Sequence, residues 1–139
     1  MKEGKLILGR YTITSKTTYD ALNDDDFNIV NLDRNIIYIS KNPINVDETK
    51  FWVTIYFETN DIVKIELCNA DEKFKMNYRT MNSKLVEELR SAHDKFLEKE
   101  LGIPHKKNIS SVEYIYVWGK IISYYDNKAS ECGIMIYYF

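Results

Sequence analysis

Two short runs near the middle of the chain restrict its fold more than any other feature. Phe51-Trp52-Val53-Thr54-Ile55-Tyr56-Phe57 and Ile62-Val63-Lys64-Ile65-Glu66-Leu67-Cys68 are strand-length and rich in β-branched and aromatic residues. The Glu58-Thr59-Asn60-Asp61 segment between them has the composition of a tight turn, so the pair predicts an antiparallel hairpin. Successive side chains of a strand point to opposite faces. The alternation from residue 63 onward therefore predicts Val63, Ile65 and Leu67 inside, with Lys64 and Glu66 in water.

The second constraint is one long helix. From residue 83 to about 101, the apolar positions Leu85, Val86, Leu89, Ala92, Phe96 and Leu97 recur at three- and four-residue steps, which makes a single apolar stripe. Asn82 or Ser83 can cap its start, Glu87 and Glu88 sit near its positive end, and Lys99 lies in its last turn. Gly102 followed by Pro104 stops it. A helix with one apolar side is expected to lie across one face of the sheet.

The remaining segments read mostly as strands. Residues 5–8, 10–14, 28–32 and 36–40 are candidates in the first third, with Thr17-Thr18-Tyr19-Asp20-Ala21-Leu22 as a short helix that a Ser or Thr hydroxyl caps. A polar loop through Lys106, Lys107 and Asn108 leads into residues 113–118, where Tyr114, Tyr116 and Trp118 alternate with Ile115 and Val117. Gly119 then offers a bulge or bend where a side chain would be in the way. Residues 120–125 and 133–138 follow as strands, joined through the turn formers Asp126 and Asn127. The expected fold is α+β: a mostly antiparallel twisted sheet, one long amphipathic helix at about 83–101 packed on one face, and a short helix near 17–22. With two prolines, five glycines, no repeat and no linker-like stretch, residues 1–139 read as a single domain.

Composition excludes several function classes. A formal net charge of -2 carries no overall footprint for phosphate backbones or anionic lipid, so neither nucleic acid nor a membrane is the expected partner. The apolar run at residues 6–8 is too short for a signal-peptide core, and no stretch approaches the roughly 20 apolar residues of a membrane helix. A cytoplasmic protein is the expectation. Cys68 and Cys132 match no zinc or redox spacing and read as small hydrophobes, with a disulfide open to them only if their strands are neighbours.

No catalytic, cofactor or metal-binding set emerges. A Ser or Cys nucleophile needs a base, and the chain has only His93, at the border of the helix stripe, and His105, beside two lysines in a loop. The run Asn23-Asp24-Asp25-Asp26 lacks the alternating ligands and central glycine of a calcium loop. It reads as a solvated turn whose three aspartates can attract a cationic partner. Tyrosine stands out, with 11 in the chain and the adjacent pairs Tyr124-Tyr125 and Tyr137-Tyr138 near its end. One member of each pair is expected in the core and the other outside, where it is either a phenylalanine substitute or a binding residue. Asp24, Asp25, Asp26, Tyr124, Tyr125, Tyr137 and Tyr138 are the candidate partner-binding residues.

Tyr116, Trp118-Gly119, Ile121, Ser123, Tyr125-Asp126, Gly133-Ile134 and Ile136-Tyr137, together with the hairpin 51–67 and the Leu101-Gly102-Ile103-Pro104 helix end, form a pattern that resembles a family of uncharacterised small bacterial proteins. That family is similar in build to immunity proteins encoded beside polymorphic or contact-dependent toxins. The resemblance covers most of the chain, implies the fold, and transfers no functional residue. The expected function is that of a non-enzymatic cytoplasmic protein that binds a protein partner, such as a toxin whose active site it covers, and that uses no cofactor. A small-ligand or accessory domain with a pocket against the helix is the alternative, and an enzyme without a recognisable motif the third reading. A homodimer through an exposed final strand is also open.

Overall fold

The computed structural model describes residues 1–75 and 83–139. Among these residues the chain forms eleven strands and one α-helix. A small hairpin, β1 (Leu6–Leu8) and β2 (Tyr11–Ile13), is followed by β3 (Phe27–Leu32), β4 (Asn35–Ser40), β5 (Ile44–Val46), β6 (Thr49–Glu58) and β7 (Asp61–Asn69). After the helix α1 (Ser83–Leu101) come β8 (Lys106–Lys107), β9 (Ser111–Tyr116), β10 (Gly119–Asp126) and β11 (Glu131–Tyr138). Apart from β1 and β2, the strands form one sheet in the order β3-β4-β6-β7-β11-β10-β9-β8, with β5 paired to β6. Every pairing is antiparallel. The α+β architecture expected from the sequence is therefore the architecture of the protein.

One face of the sheet is covered and holds the core. Val86, Leu89, His93, Phe96, Leu97 and Leu101 of α1 are buried, and the helix packs over β7, β10 and β11. Over the β4–β6 half the cover comes from the β1–β2 hairpin and the segment that follows it, because Leu6, Leu8 and Ile13 of the hairpin and Leu22 beyond it share one cluster with Phe27, Tyr38, Val53, Ile55 and Phe57. Burying a side chain of this size fully contributes about 1.5–3 kcal/mol, so this face supplies most of the stability. The apolar stripe of α1 is offset from the sequence expectation. Leu85 and Ala92 are only half-buried, whereas His93 is fully buried. Ser83 is the first described residue of the helix, and Asn82, the other expected cap, lies outside the described residues. Gly102 stops the helix at φ +84, with its N–H donating to Glu98 O at 2.8 Å, since a left-handed residue ends an α-helix with little penalty only when it lacks a Cβ.

Several local expectations are corrected. The β6–β7 hairpin closes on two residues, Thr59 and Asn60, and carries a register shift between Tyr56 and Phe57. Phe57 pairs with Ile62 and Tyr56 with Lys64, so Val63 is the extra residue. The bulge reverses the alternation beyond it: Ile62 is 4% exposed and faces the core, while Val63, expected inside, is half-exposed. The short helix near 17–22 is a 3-10 turn at Tyr19–Ala21, and Thr18 bonds the Asp20 carboxylate rather than capping it. Two short strands had no separate signal: β5, and β8 within the expected polar loop. Trp118 lies in the β9–β10 turn rather than on a strand. Its indole stacks on Tyr116 with centroids 5.6 Å apart, and its Nε1 donates to Lys2 O at 2.7 Å, tying the N-terminal segment down.

The final strand β11 is not an edge. It lies between β7 and β10 with both of its ladders occupied, so the dimer expected through it has no free backbone to use.

Candidate binding surface

Strand alternation leaves the second face of the sheet uncovered by any described element, and the register sets side chains across it in lateral rows. One row runs Val30, Ile37, Tyr56, Lys64, Tyr137, Lys120, Ile115 across seven strands. The next runs Asn28, Ile39, Thr54, Glu66, Met135, Ile122, Glu113. Trp52 and Tyr124 extend the surface beyond the second row. Trp52 and Ile115 are each 48% exposed, and Ile39 is 39% exposed, so this apolar face meets solvent.

The polar groups on this face are held in place. Tyr124 donates to Glu66 Oε1 at 2.8 Å and Tyr56 to Glu66 Oε2 at 3.3 Å. Burial and then the bond to Glu66 push the Tyr124 phenol well above the ordinary tyrosine value, and burial first, with the Glu66 carboxylate, raises Tyr56. Lys64 sits 4.4 Å from the Tyr56 ring centroid and Lys120 5.4 Å from that of Tyr137. Among the described residues neither ammonium has a carboxylate partner within salt-bridge distance. Two lysines pinned over tyrosine faces on either side of β11 can each meet a carboxylate of a docking partner.

Tyr124 reaches Glu66 because β11 has glycine in between. A Cβ built on Gly133 would lie 3.0 Å from both Cε1 and the hydroxyl oxygen of Tyr124. The ring therefore lies across the glycine to a carboxylate two strands away. Gly133→Ala is expected to tilt the ring off its partner and cost about 1 kcal/mol, the net worth of one such bond, read as a lower urea midpoint with an unchanged slope.

The expected site residues do not form one site. Asp24 and Asp25 are exposed, and Asp24 borders a depression with Tyr19, Leu22 and Tyr38, on the covered side of β4. Four strand spacings separate β4 from β10, about 19 Å, so the acidic turn and Tyr124 lie on different faces and far apart. Asp26 is committed internally: it accepts from Tyr11 at 2.5 Å and from Arg10 at 2.6 Å, and these bonds hold its carboxyl below the usual carboxylate range. Each tyrosine pair does split between faces, as expected. However, all four rings are half-buried rather than one in and one out. Tyr125 packs on the helix side under Arg90, and Tyr138 joins the core beside Trp118 with its hydroxyl buried and without a partner among the described residues. Tyr124 and Tyr137 remain on the open face. Trp52, Tyr56, Lys64, Glu66 and Lys120 belong with them. The period-two pattern of residues 50–58 already puts Trp52 and Tyr56 on one face, but only the register shows that β7, β11 and β10 bring the rest beside them.

The groups read for chemistry are occupied. His93 is 0% exposed, its Nε2 accepts the Asn69 N–H at 2.9 Å, and burial lowers its pKa to about 4. His105 accepts the Ile115 N–H through Nδ1 at 2.8 Å. Cys68 and Cys132 lie on the neighbouring strands β7 and β11 as free thiols, pushed up by burial to about 11 and about 12. No group of His, Cys, Asp and Glu among the described residues is arranged to hold a metal ion. At the end of α1, a depression of about 340 Å³ is lined by Met1, Glu3, Lys5, Asp47 and Glu100. A hydrogen bond to Asp47 raises the Glu100 carboxyl. No helix among the described residues is long and apolar enough to cross a membrane.

No protein-family model, curated protein or solved structure matches this chain.

Proposed function

We propose that the chain is a non-catalytic binding protein that receives a protein partner on the open face of its sheet, as an immunity protein does when it covers the active site of a cognate toxin. The observation that carries this reading is the exposed Trp52 on the same open face as Tyr56, Tyr124 and Tyr137, a surface whose Tyr56, Tyr124 and Glu66 groups are held by hydrogen bonds. Rings anchored in a sheet lose little conformational freedom on docking, and Tyr and Trp are the side chains that most often concentrate binding energy. Free thiols kept inert by burial suit a reducing cytoplasm.

This reading revises the charge of the partner surface. The acidic turn that suits a cationic partner is on the other side of the sheet, whereas the open face presents Lys64 and Lys120 around Glu66. The partner is then expected to bring carboxylates to the two lysines and apolar groups to Trp52 and Ile39.

The test is co-expression with the toxin candidate encoded next to this chain, read as rescue of growth, together with a binding titration of the purified pair. Trp52→Ser combined with Tyr137→Ser is expected to weaken binding about 30-fold or more and abolish rescue. Asp24→Asn with Asp25→Asn should leave both unchanged. Rescue that survives the first pair of substitutions and fails with the second would move the site to the acidic turn.

A further inference from the structure

The two edges of the large sheet are built differently. The β8 edge is two residues long and both are lysines, which is how natural sheets discourage pairing with another chain. The β3 edge has six residues, Phe-Asn-Ile-Val-Asn-Leu, without a charge or a proline. All but Phe27 are exposed, including Ile29 at 42% and Leu32 at 54%.

The backbone of β3 defines what it can receive. Lys41 N–H donates to Asp26 O at 3.0 Å, and antiparallel ladders alternate bonded and non-bonded pairs. Continuing that alternation along the β3–β4 register gives Asn28, Val30 and Leu32 to β4. The N–H and C=O groups of Phe27, Ile29 and Asn31 therefore point outward. These three positions are symmetric about Ile29, so a second β3 running antiparallel can match them all. Ile29 then meets its own copy, and Phe27 meets Asn31 of the other chain at both ends.

Charge at the strand ends points to the same occupant. Asp24 and Asp25 precede β3, and Arg34 follows it in the β3–β4 turn. Among the described residues none of the three has an intramolecular ion pair. A twofold axis at Ile29 sets Arg34 of each copy opposite Asp24 of the other, and it does so twice; Asp33, beside Arg34 in the turn, comes opposite Asp25, so the favourable part of the contact is the Arg34–Asp24 pair. A foreign strand would need basic and acidic flanks of its own, whereas a second copy already carries both.

The geometry points to a homodimer in which two β3 edges pair antiparallel about Ile29, joining two sheets into one. An edge contact of this kind lies at the small end of protein interfaces, so association is expected to rise with concentration over roughly 10 µM to 1 mM. Sedimentation velocity on the full chain tests it directly. Ile29→Lys places two ammonium groups opposite each other across the axis and is expected to leave a monomer at every concentration. Mixing equal amounts of Ile29→Lys and Ile29→Glu is expected to restore a dimer, because the axis then sets the ammonium of one chain opposite the carboxylate of the other.

A native chain that is monomeric at the top of that range, an Ile29→Lys chain that dimerises like the native one, or a mixture that stays monomeric would each overturn the proposal. If Ile29→Lys fails to fold, amide exchange on the native chain decides. Protection of the Ile29 and Asn31 amides should appear at high concentration and vanish on dilution, and concentration-independent exchange would refute the pairing. None of these readouts involves the open face, so the outcome is independent of the proposed partner.

Discussion

Gly119→Ala is expected to destabilise the protein by about 3 kcal/mol or more, at the upper end of what overpacking does, with Tm lower by about 10 °C. Gly119 opens β10, paired with Tyr116 on one side and Tyr138 on the other. A Cβ there would fall 1.9 Å from the backbone oxygen of Tyr137, 3.0 Å from its carbonyl carbon and 3.3 Å from Tyr138 Cα. Each of those atoms is main chain in a strand bonded on both edges, so no rotamer change relieves the overlap and β10 must move away from β11. Gly102→Ala is the informative comparison, because no atom of the described residues lies within 4 Å of its Cβ position and its φ of +84 is the unfavourable feature. That substitution should cost about 1 kcal/mol, the usual penalty of a left-handed non-glycine residue. Thermal or urea unfolding of both variants measures the difference, and equal losses would show that the close approach at Gly119 is absent.

The second large effect is acid sensitivity from His93. The ring, on the buried side of α1, is 0% exposed, its Nε2 accepts the Asn69 N–H, and its Nδ1 has no hydrogen-bond partner among the described residues. Burial holds its pKa at about 4 against 6.5 for a free imidazole. The folded state keeps the neutral ring, so below pH 6.5 the unfolded chain takes up a proton that the folded chain refuses. Stability is fully present above pH 6.5, declines as pH falls, and levels off below about 4. At about 1.4 kcal/mol per pH unit, the gap amounts to about 3 kcal/mol. Urea unfolding at pH 7.5 and at pH 4 should show that loss. His93→Gln, which keeps an acceptor but does not titrate, should start less stable and lose much less over the same window. An equal acid loss in both proteins would assign the slope to carboxylates instead.

His93 also shows where sequence reasoning reaches its limit. Its helical position puts it at the border of the apolar stripe, and no residue nearby in sequence indicates that the Asn69 amide needs an acceptor there. Asn69 comes 24 residues earlier and arrives only because β7 passes beneath α1. The same holds for the bulge at Val63. A strictly alternating run carries no mark of an extra residue, and the shift exists because Phe57 and Ile62 both have room in the core. By contrast, the turn after β10 is readable. Asp126 and Asn127 signal it, and Asp126 Oδ1 does accept the Lys128 and Ala129 amides.

The closing aromatics divide in the same manner. Tyr137 and Tyr138 have to face opposite ways, because that follows from the strand alone. That Tyr138 packs on Trp118 while Tyr137 lies between two lysines depends on which strands become neighbours. Asp26 is the reverse case. In sequence it reads as surface charge, and in the fold it is the bond between β2 and β3, through Arg10 and Tyr11.

The chain's own order of residues determined the elements: the hairpin at its centre, the long helix that stops before Gly102, the antiparallel run that follows it, and the α+β class they compose. Those are consequences of periodicity, capping and turn chemistry, which act over a few residues. Tertiary structure alone decided that β11 slides between β7 and β10, that Glu66 collects two phenols from strands on either side, and that among the described residues no strand pairs with the outer edge of β3. These depend on pairings between segments tens of residues apart, selected by how the whole core packs rather than by any local preference.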